Sequence, residues 1–340
     1  MRITFNYTDT SNNKLYRKKY PIFGEFEENI IYTFSGKTSL SIILDYFLQA
    51  GKLNNKMGQM LVPSWLGAWV YKTMQGYCFP TLSLNNHTRG VFVYHQWGFP
   101  QRMDEIIEFC KKKDIFVIED CAHAFDSQYK GKMVGTYGDA SIFSFSKFFS
   151  SVVGGAIYTE NDDMKKQIKE KLKKDDISLL RKAFRHRMAY DKNPTRENQI
   201  GLGMYYAVYD RILKCPYYSL SVVKQQIIEK ALEKRRKNHK YFIKELKQYM
   251  DIDGVGFLDD QCVTPWVTPL FFGKRTGRKV VEKLIENEIE SGSYNFDINR
   301  NILNPKFVEC VIIPCHHGMS NDNISQIMDI ILKALKYSSN

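Results

Sequence analysis

The 340-residue chain predicts an α/β fold: a mostly parallel sheet flanked by helices, followed by a smaller α+β unit. Three observations lead there. Apolar strand-like runs alternate with helical stretches through the first half, and the buried-looking runs end in polar or charged residues. After Tyr158 the pattern changes to long, charged amphipathic helices. The division expected from this change is a large α/β domain over 1–225 and a small α+β domain over 226–340.

Taken in order, Gly36 opens a helix in which Leu40, Ile43, Leu44 and Leu48 recur on one face, and Gly51 closes it. Gln59 to Pro63 reads as a strand leaving into Ser64-Trp65, and Ala68 to Gln75 as a helix stopped by Gly76. Strand Gly90 to Tyr94, helix Met103 to Lys113 and strand Ile115 to Ile118 repeat the alternation, the last ending in Glu119-Asp120. Such alternation argues for parallel β-α-β units with helices on both faces. A further run, Ala140 to Ser146, ends in Lys147 before Gly154-Gly155-Ala156-Ile157-Tyr158. Charged helices follow over about Asp162 to Lys182 and Leu220 to Met250. Between them, Arg185 to Tyr206 has no clear periodicity and reads as a mobile loop. Strand signals return at Val263 to Phe272 and Val311 to Ile313, with helices at Lys279 to Glu288 and Asn323 to Leu335.

Composition excludes several classes. The net charge of +12 lies largely in helical stretches where acidic residues are interspersed, the pattern of a solvated face rather than a nucleic-acid surface. No apolar stretch approaches the roughly 20 residues of a membrane helix, and Met1 to Tyr7 is not a signal peptide, so a cytoplasmic protein is expected. The seven cysteines are odd in number and form no Cys-x-x-Cys pair, as expected of reduced thiols. Cys310 and Cys315 lie near His316 and His317, but inside an apolar run that looks like a strand end. No metal is expected.

The chemistry concentrates at two strand ends. Asp120 and Lys147 end consecutive apolar runs, where an α/β sheet collects its reactive groups. A lysine in apolar surroundings loses its proton more easily and becomes a nucleophile toward an aldehyde. A buried aspartate needs a cationic partner. Together they are what a pyridoxal phosphate (PLP) enzyme requires: Lys147 for the Schiff base and Asp120 for the pyridine nitrogen. Alone, Lys147 would read as a snorkelling side chain and Asp120 as a helix or turn cap. His123, three residues on, could reach the cofactor's phenolic oxygen or lie against its ring, although a lone histidine is more often a hydrogen-bonded core residue. Ser35-Gly36-Lys37-Thr38 is not a nucleotide P-loop, because the position five before Gly36 is Ile31. It remains a glycine-started helix whose first amides, with the Lys37 ammonium and the Thr38 hydroxyl, suit one phosphate. Ser144 could add a hydroxyl to the same group. Trp65 and Trp69 are both candidates for an aromatic plate over the pyridine ring, with core or interface packing as the plainer alternative.

These residues resemble the DegT/StrS family of PLP-dependent sugar aminotransferases. The segment Val117-Ile118-Glu119-Asp120-Cys121-Ala122-His123-Ala124 is similar to the family's Ile-Glu-Asp-x-Ala-Gln/His segment, and Phe143-Ser144-Phe145 leads into Lys147 as its Ser-Phe segment leads into the Schiff-base lysine. Ser35-Gly36-Lys37, Val62-Pro63-Ser64, the hairpin Tyr129 to Gly135, Gly154-Gly155-Ala156, Lys234 to Asn238 and Ile313 to Ser320 resemble further landmarks. Members commonly place two more residues between that serine and the lysine. The usual Asn-x-Arg-Met stretch that reaches the neighbouring subunit's phosphate has no counterpart between Arg185 and Leu220.

The resemblance implies a type I aminotransferase fold, a homodimer with active sites at the subunit boundary, L-glutamate as amino donor and a nucleotide-linked keto-sugar as acceptor. A small phosphorylated ketone is an alternative acceptor. PLP-dependent sugar dehydration is an alternative reaction, against which Lys147 speaks because such relatives carry histidine there.

Overall fold

In a computed structural model, all residues are described except 1, 12, 17, 54–56, 174–177, 179–181, 183–184, 187–188, 191, 210–212, 252–254 and 337–340. The first half builds a seven-stranded sheet from β1 (Ile30–Thr33), β2 (Gln59–Leu61), β3 (Phe79–Thr81), β4 (Thr88–Tyr94), β5 (Phe116–Asp120), β8 (Ala140–Ser144) and β9 (Gly155–Tyr158). Their spatial order is β1-β9-β8-β5-β4-β2-β3, and β6 (Gln128–Tyr129) with β7 (Lys132–Met133) forms the expected hairpin outside it. The pairings from β3 through β8 are parallel. Only β9 runs against its neighbours.

Burial on both faces explains why the central strands read as continuous apolar runs. On β5 all five residues are buried. Phe116 and Ile118 join Ile43, Leu44, Phe47 and Ile142 in one layer, while Val117 joins Val91, Val93, Met103 and Ile106 in another. These layers are supplied by α1 (Gly36–Gln49), with α2 (Ala68–Met74) beside it, and by α3 (Met103–Lys113). Phe47 stacks on Phe116 at 4.0 Å and 15°. Because β2, β4, β5 and β8 are parallel, Leu61, Tyr94, Asp120 and Ser144 all lie at one edge of the sheet, which is where loops gather a site.

The second half differs from the sequence reading in three places. The helix α4 (Asp162–Lys173) matches the start of the Asp162 to Lys182 expectation, whose continuation at 174–177 lies outside the described residues. Within the stretch read as a loop, Arg196–Tyr209 is a helix, α5; its apolar residues Ile200, Leu202, Met204 and Val208 are irregularly spaced in sequence, so no single-face period appears. The expected single helix Leu220 to Met250 is two, α6 (Tyr217–Ile228) and α7 (Ala231–Leu246). They are separated at Lys230, whose φ of +63° is left-handed and breaks the helical path. Finally, β11 (Gly292–Asp297) was not foreseen: it is polar and half exposed, so it carries no apolar run. It completes an antiparallel sheet in the order β10-β12-β11, with β10 (Val267–Leu270) and β12 (Phe307–Pro314). Helices α8 (Lys274–Glu286) and α9 (Asn321–Lys336) supply apolar residues to the same core, among them Val280, Leu284, Ile327 and Ile331. Among the described residues no helix is long and apolar enough to cross a membrane.

Candidate active site

Asp120 is the last residue of β5 and is 3% exposed. Its Oδ1 accepts the Ala122 N–H at 2.9 Å, and no described residue donates to Oδ2. Burial pushes its carboxyl up to about 6, although the Ala122 amide, His95 and Lys147 pull the other way. Lys147 ends a 3₁₀ turn, Phe145–Lys147, that follows β8. Its ammonium lies 5.3 Å from the centre of the Trp266 ring. Burial lowers the Lys147 pKa, opposed by the charges of Asp120 and Glu290. A carboxyl that gains a proton easily and an amine that loses one easily therefore lie within reach of each other's charge.

His123 sits beside them. Its Nδ1 is 2.7 Å from the Tyr94 hydroxyl, and its ring lies flat on Trp266 with centroids 3.9 Å apart at 6°. Burial, with the positive charges of Lys147 and Arg235, holds His123 well below the ordinary histidine range, so the ring is neutral.

The phosphate candidates also converge in part. A Cβ on Gly36 would stand 3.3 Å from both the Phe143 carbonyl oxygen and Ser144 Cβ, so the start of α1 abuts the end of β8. Ser35 caps that helix by accepting the Thr38 N–H at 3.1 Å, and the two hydroxyls are 3.0 Å apart. Lys37 instead reaches outward, 4.8 Å from the centre of the Trp69 ring, which Lys72 approaches from 5.4 Å. Trp69 is 65% exposed. Trp65 lines a cavity of about 270 Å³ together with Val62, Tyr94, Gln96, Gln101 and Asp297. Of the two tryptophans, Trp65 thus shares a wall with a neighbour of His123, whereas Trp69 stands with Lys37.

Four important residues escaped the sequence reading. Tyr94 and Trp266 looked like ordinary strand aromatics, and only tertiary packing brings them onto His123. Glu290, whose Oε2 accepts the Phe5 N–H at 2.8 Å, has no local signal. Arg235 is fully buried, donating to the Trp266 carbonyl at 2.7 Å and the Phe148 carbonyl at 3.4 Å, and it had appeared only as part of a basic motif. Glu119 proves structural. It accepts the N–H groups of Gly135, Tyr137 and Gly138 and pairs with His95 Nε2 at 3.0 Å, which holds the hairpin loop to β5.

His95, Glu119 and Cys121 are the one group among the described residues with metal-ligand types this close. Both ring nitrogens of His95 are already engaged, Nδ1 by the Gln101 N–H at 3.1 Å. The cluster is a hydrogen-bonded one.

The residues present fit pyridoxal phosphate. A buried carboxylate with one oxygen lacking a donor matches a pyridinium N–H, and the depressed Lys147 amine matches an aldehyde. The α1 N-terminus beside Ser144 matches a phosphate.

Comparison with known proteins agrees. Residues 82–301 match the model of the DegT/DnrJ/EryC1/StrS aminotransferase family. GDP-perosamine synthase of Escherichia coli O157:H7 is 45% identical over 80 residues, covering 23% of this chain and 22% of that protein. The UDP-4-amino-4,6-dideoxy-N-acetyl-beta-L-altrosamine transaminase of Campylobacter jejuni subsp. jejuni serotype O:23/36 is 27% identical over 259 residues, 70% of this chain and 64% of that one. The similarity thus spans about a fifth of the first relative's length and just under two thirds of the second's. In fold, the chain is similar to the aminotransferase TlmJ from Streptoalloteichus hindustanus, with a TM-score of 0.67 at 14% identity over 92% of this chain and 87% of that one. It is also similar to E. coli GDP-4-keto-6-deoxy-D-mannose-3-dehydratase with bound hydrated PLP, with a TM-score of 0.60 at 16% identity over 89% and 87%. The α/β architecture read from the strand-helix alternation is therefore that of the PLP aminotransferases. With its matched segment covering most of the sheet edge that carries Asp120 and Lys147, this chain belongs to the DegT/DnrJ/EryC1/StrS aminotransferase family.

Proposed function

We propose that the protein is a PLP-dependent aminotransferase that moves an amino group from L-glutamate to a keto group of a nucleotide-linked sugar, acting in the cytoplasm as a homodimer. The observation that carries this reading is the pair Asp120 and Lys147, one carboxyl raised and one amine lowered by the same burial at the sheet edge. Bound PLP would supply an electron-accepting ring that stabilises the charge left when the donor's α-carbon loses its proton. Asp120 holds a proton at the ring nitrogen. Lys147 Nζ, whose charged form burial disfavours, would engage the aldehyde carbon of bound PLP and would hold or return the proton at the reacting carbon. His123 and Trp266 form a flat wall beside Lys147 that excludes water. Gly36, Thr38 and Ser144 are the proposed phosphate contacts, with Lys37 as a nearby cation and Trp65 or Trp69 as the ring-covering aromatic.

The nucleotide-sugar acceptor is supported by two relatives, the GDP-perosamine synthase and the UDP-4-amino-4,6-dideoxy-N-acetyl-beta-L-altrosamine transaminase. Dimerisation is supported by Trp65, Leu82 and Leu84, exposed apolar side chains at 49%, 62% and 38% that line one cavity together, as an interface would use them. The test is direct. Protein mixed with PLP becomes yellow, Lys147→Ala does not, glutamate bleaches the colour, and a nucleotide-linked keto-sugar restores it. Bleaching without restoration by any of a panel of nucleotide keto-sugars removes the acceptor assignment. Release of a deoxy-sugar without net amine transfer establishes dehydration instead.

A further inference from the structure

Tyr94 belongs to neither the motif around Asp120 nor the one around Lys147, yet it makes the polar contact to His123. It ends β4 directly opposite Asp120 in the parallel register, and its hydroxyl lies 2.7 Å from His123 Nδ1. We propose that Tyr94 is a positioning residue: its O–H donates to Nδ1 and fixes His123 in the tautomer that carries hydrogen on Nε2, leaving that N–H to donate to the phenolic oxygen of bound PLP. This rests on the function proposed above.

The direction of the hydrogen bond follows from what surrounds it. Burial and the nearby Asp120 charge hold the phenol well above its ordinary pKa, so Tyr94 keeps its proton. Were His123 Nδ1 to carry the hydrogen and donate to the same oxygen, the phenol proton would need another acceptor, and no described residue supplies one. His123 cannot escape by charging, since burial and the cations Lys147 and Arg235 keep it neutral. Nor can it rotate freely. Trp266 covers one face at 3.9 Å, and the Trp266 indole N–H is itself tied to Asn6 Oδ1 at 2.8 Å while its carbonyl holds Arg235. A ring clamped on its face and fed a proton on one nitrogen presents one defined donor.

The experiment uses the full chain in two states. In cofactor-free protein labelled with ¹⁵N at histidine, His123 is assigned as the ring whose signals vanish in His123→Gln. Wild type is expected to show a single Nε2–H tautomer, and Tyr94→Phe a mixture of the two. In PLP-loaded protein, losing a fixed donor to a phenolate oxygen raises the pH midpoint of the yellow band, by about half a pH unit for one ordinary hydrogen bond. Unfolding midpoints of the two proteins serve as the control for a merely structural effect. An Nδ1–H tautomer in wild type, or an unchanged tautomer in Tyr94→Phe, overturns the proposal while PLP binding stands. A chain that never colours overturns the proposed function instead, and the cofactor-free tautomer measurement then decides the Tyr94 assignment alone.

Discussion

Trp266 lies flat on His123, ring centroids 3.9 Å apart at 6°, although 143 positions separate them in the chain. The contact joins the lead-in to β10 with the loop after β5, so the two sheets meet at the candidate site. Arg235 of α7 fastens this junction from beneath. Its guanidinium bonds the Trp266 carbonyl and the carbonyl of Phe148, the residue after Lys147, and lies 4.9 Å from the centre of the Phe148 ring. One buried cation therefore orients both the aromatic wall and the turn that presents the amine.

Removing Arg235 should be costly. Arg235→Ala leaves the Phe148 carbonyl without its donor, the Trp266 carbonyl with only the weak Cys315 thiol at 3.7 Å, and a large void, the lost donors and the void each worth about 1–3 kcal/mol or more. The expected loss is at least about 3 kcal/mol in urea unfolding. Arg235→Met fills the space without the donors, and should recover part of the loss. Equal stability of wild type and Arg235→Ala would show that the guanidinium does not hold the junction.

Asp120 gives a pH signature in the cofactor-free protein. Its folded pKa is raised, from 3.8 to about 6, so its contribution to stability is fully present below the unfolded value and is lost as pH rises through about 6. The difference corresponds to about 3 kcal/mol at most. Asp120→Asn keeps an acceptor for the Ala122 amide and removes the buried charge. It should therefore melt higher than wild type at pH 7.5 but match it at pH 4, while PLP-dependent activity is lost. A constant difference across that range would rule out Asp120 ionisation as the cause.

How much of this was legible in the sequence follows the range of the interactions. The strands around Asp120 and the Ser144 to Lys147 stretch were readable because burial on both faces writes an uninterrupted apolar run, and α3 because its apolar period and flanking charges are local. The approach of Gly36 to Ser144 could be guessed from chemistry alone, two phosphate-like features needing one phosphate. Tyr94, Trp266 and Arg235 could not. Each acts through a partner from a distant segment, and nothing in its own neighbourhood distinguishes it from core. Lys230 broke a helix whose amphipathic pattern continues across it, because the left-handed backbone leaves no mark on side-chain periodicity. The β11 strand was missed for the opposite reason: its exposed residues have no apolar period to read.

Gly155 supports the phosphate end of the site by its lack of a side chain. A Cβ there would stand 2.5 Å from the Ser35 carbonyl carbon and 2.7 Å from the Gly36 nitrogen, both backbone atoms that cannot swing aside. Gly155→Ala should push the start of α1 away from Ser144, weakening PLP binding about tenfold or more and destabilising the fold by about 1–3 kcal/mol. Fluorescence titration with PLP reads the first effect and thermal melting the second. Unchanged affinity would separate α1 from the phosphate.

Glu119 carries the last prediction. Its Oε1 accepts the Tyr137 and Gly138 amides, both at 2.7 Å, and its Oε2 accepts Gly135 at 2.8 Å and His95 Nε2 at 3.0 Å. The Gln101 amide donates to His95 Nδ1, so the hydrogen of that ring sits on Nε2 and points at the carboxylate. Glu119→Gln replaces one acceptor oxygen with an NH₂ that must face either two backbone donors or a backbone donor and the His95 N–H. No rotation of the amide satisfies all four, and His95 cannot relieve the clash by shifting its proton without losing Gln101. The expected cost is about 3–5 kcal/mol, comparable to breaking a buried charged network. The double variant Glu119→Gln with His95→Gln should lose less than the sum of the two single changes, because each alone strands the other's partner. Strict additivity in urea unfolding would mean that the two side chains act independently and that the hairpin loop is held by something else.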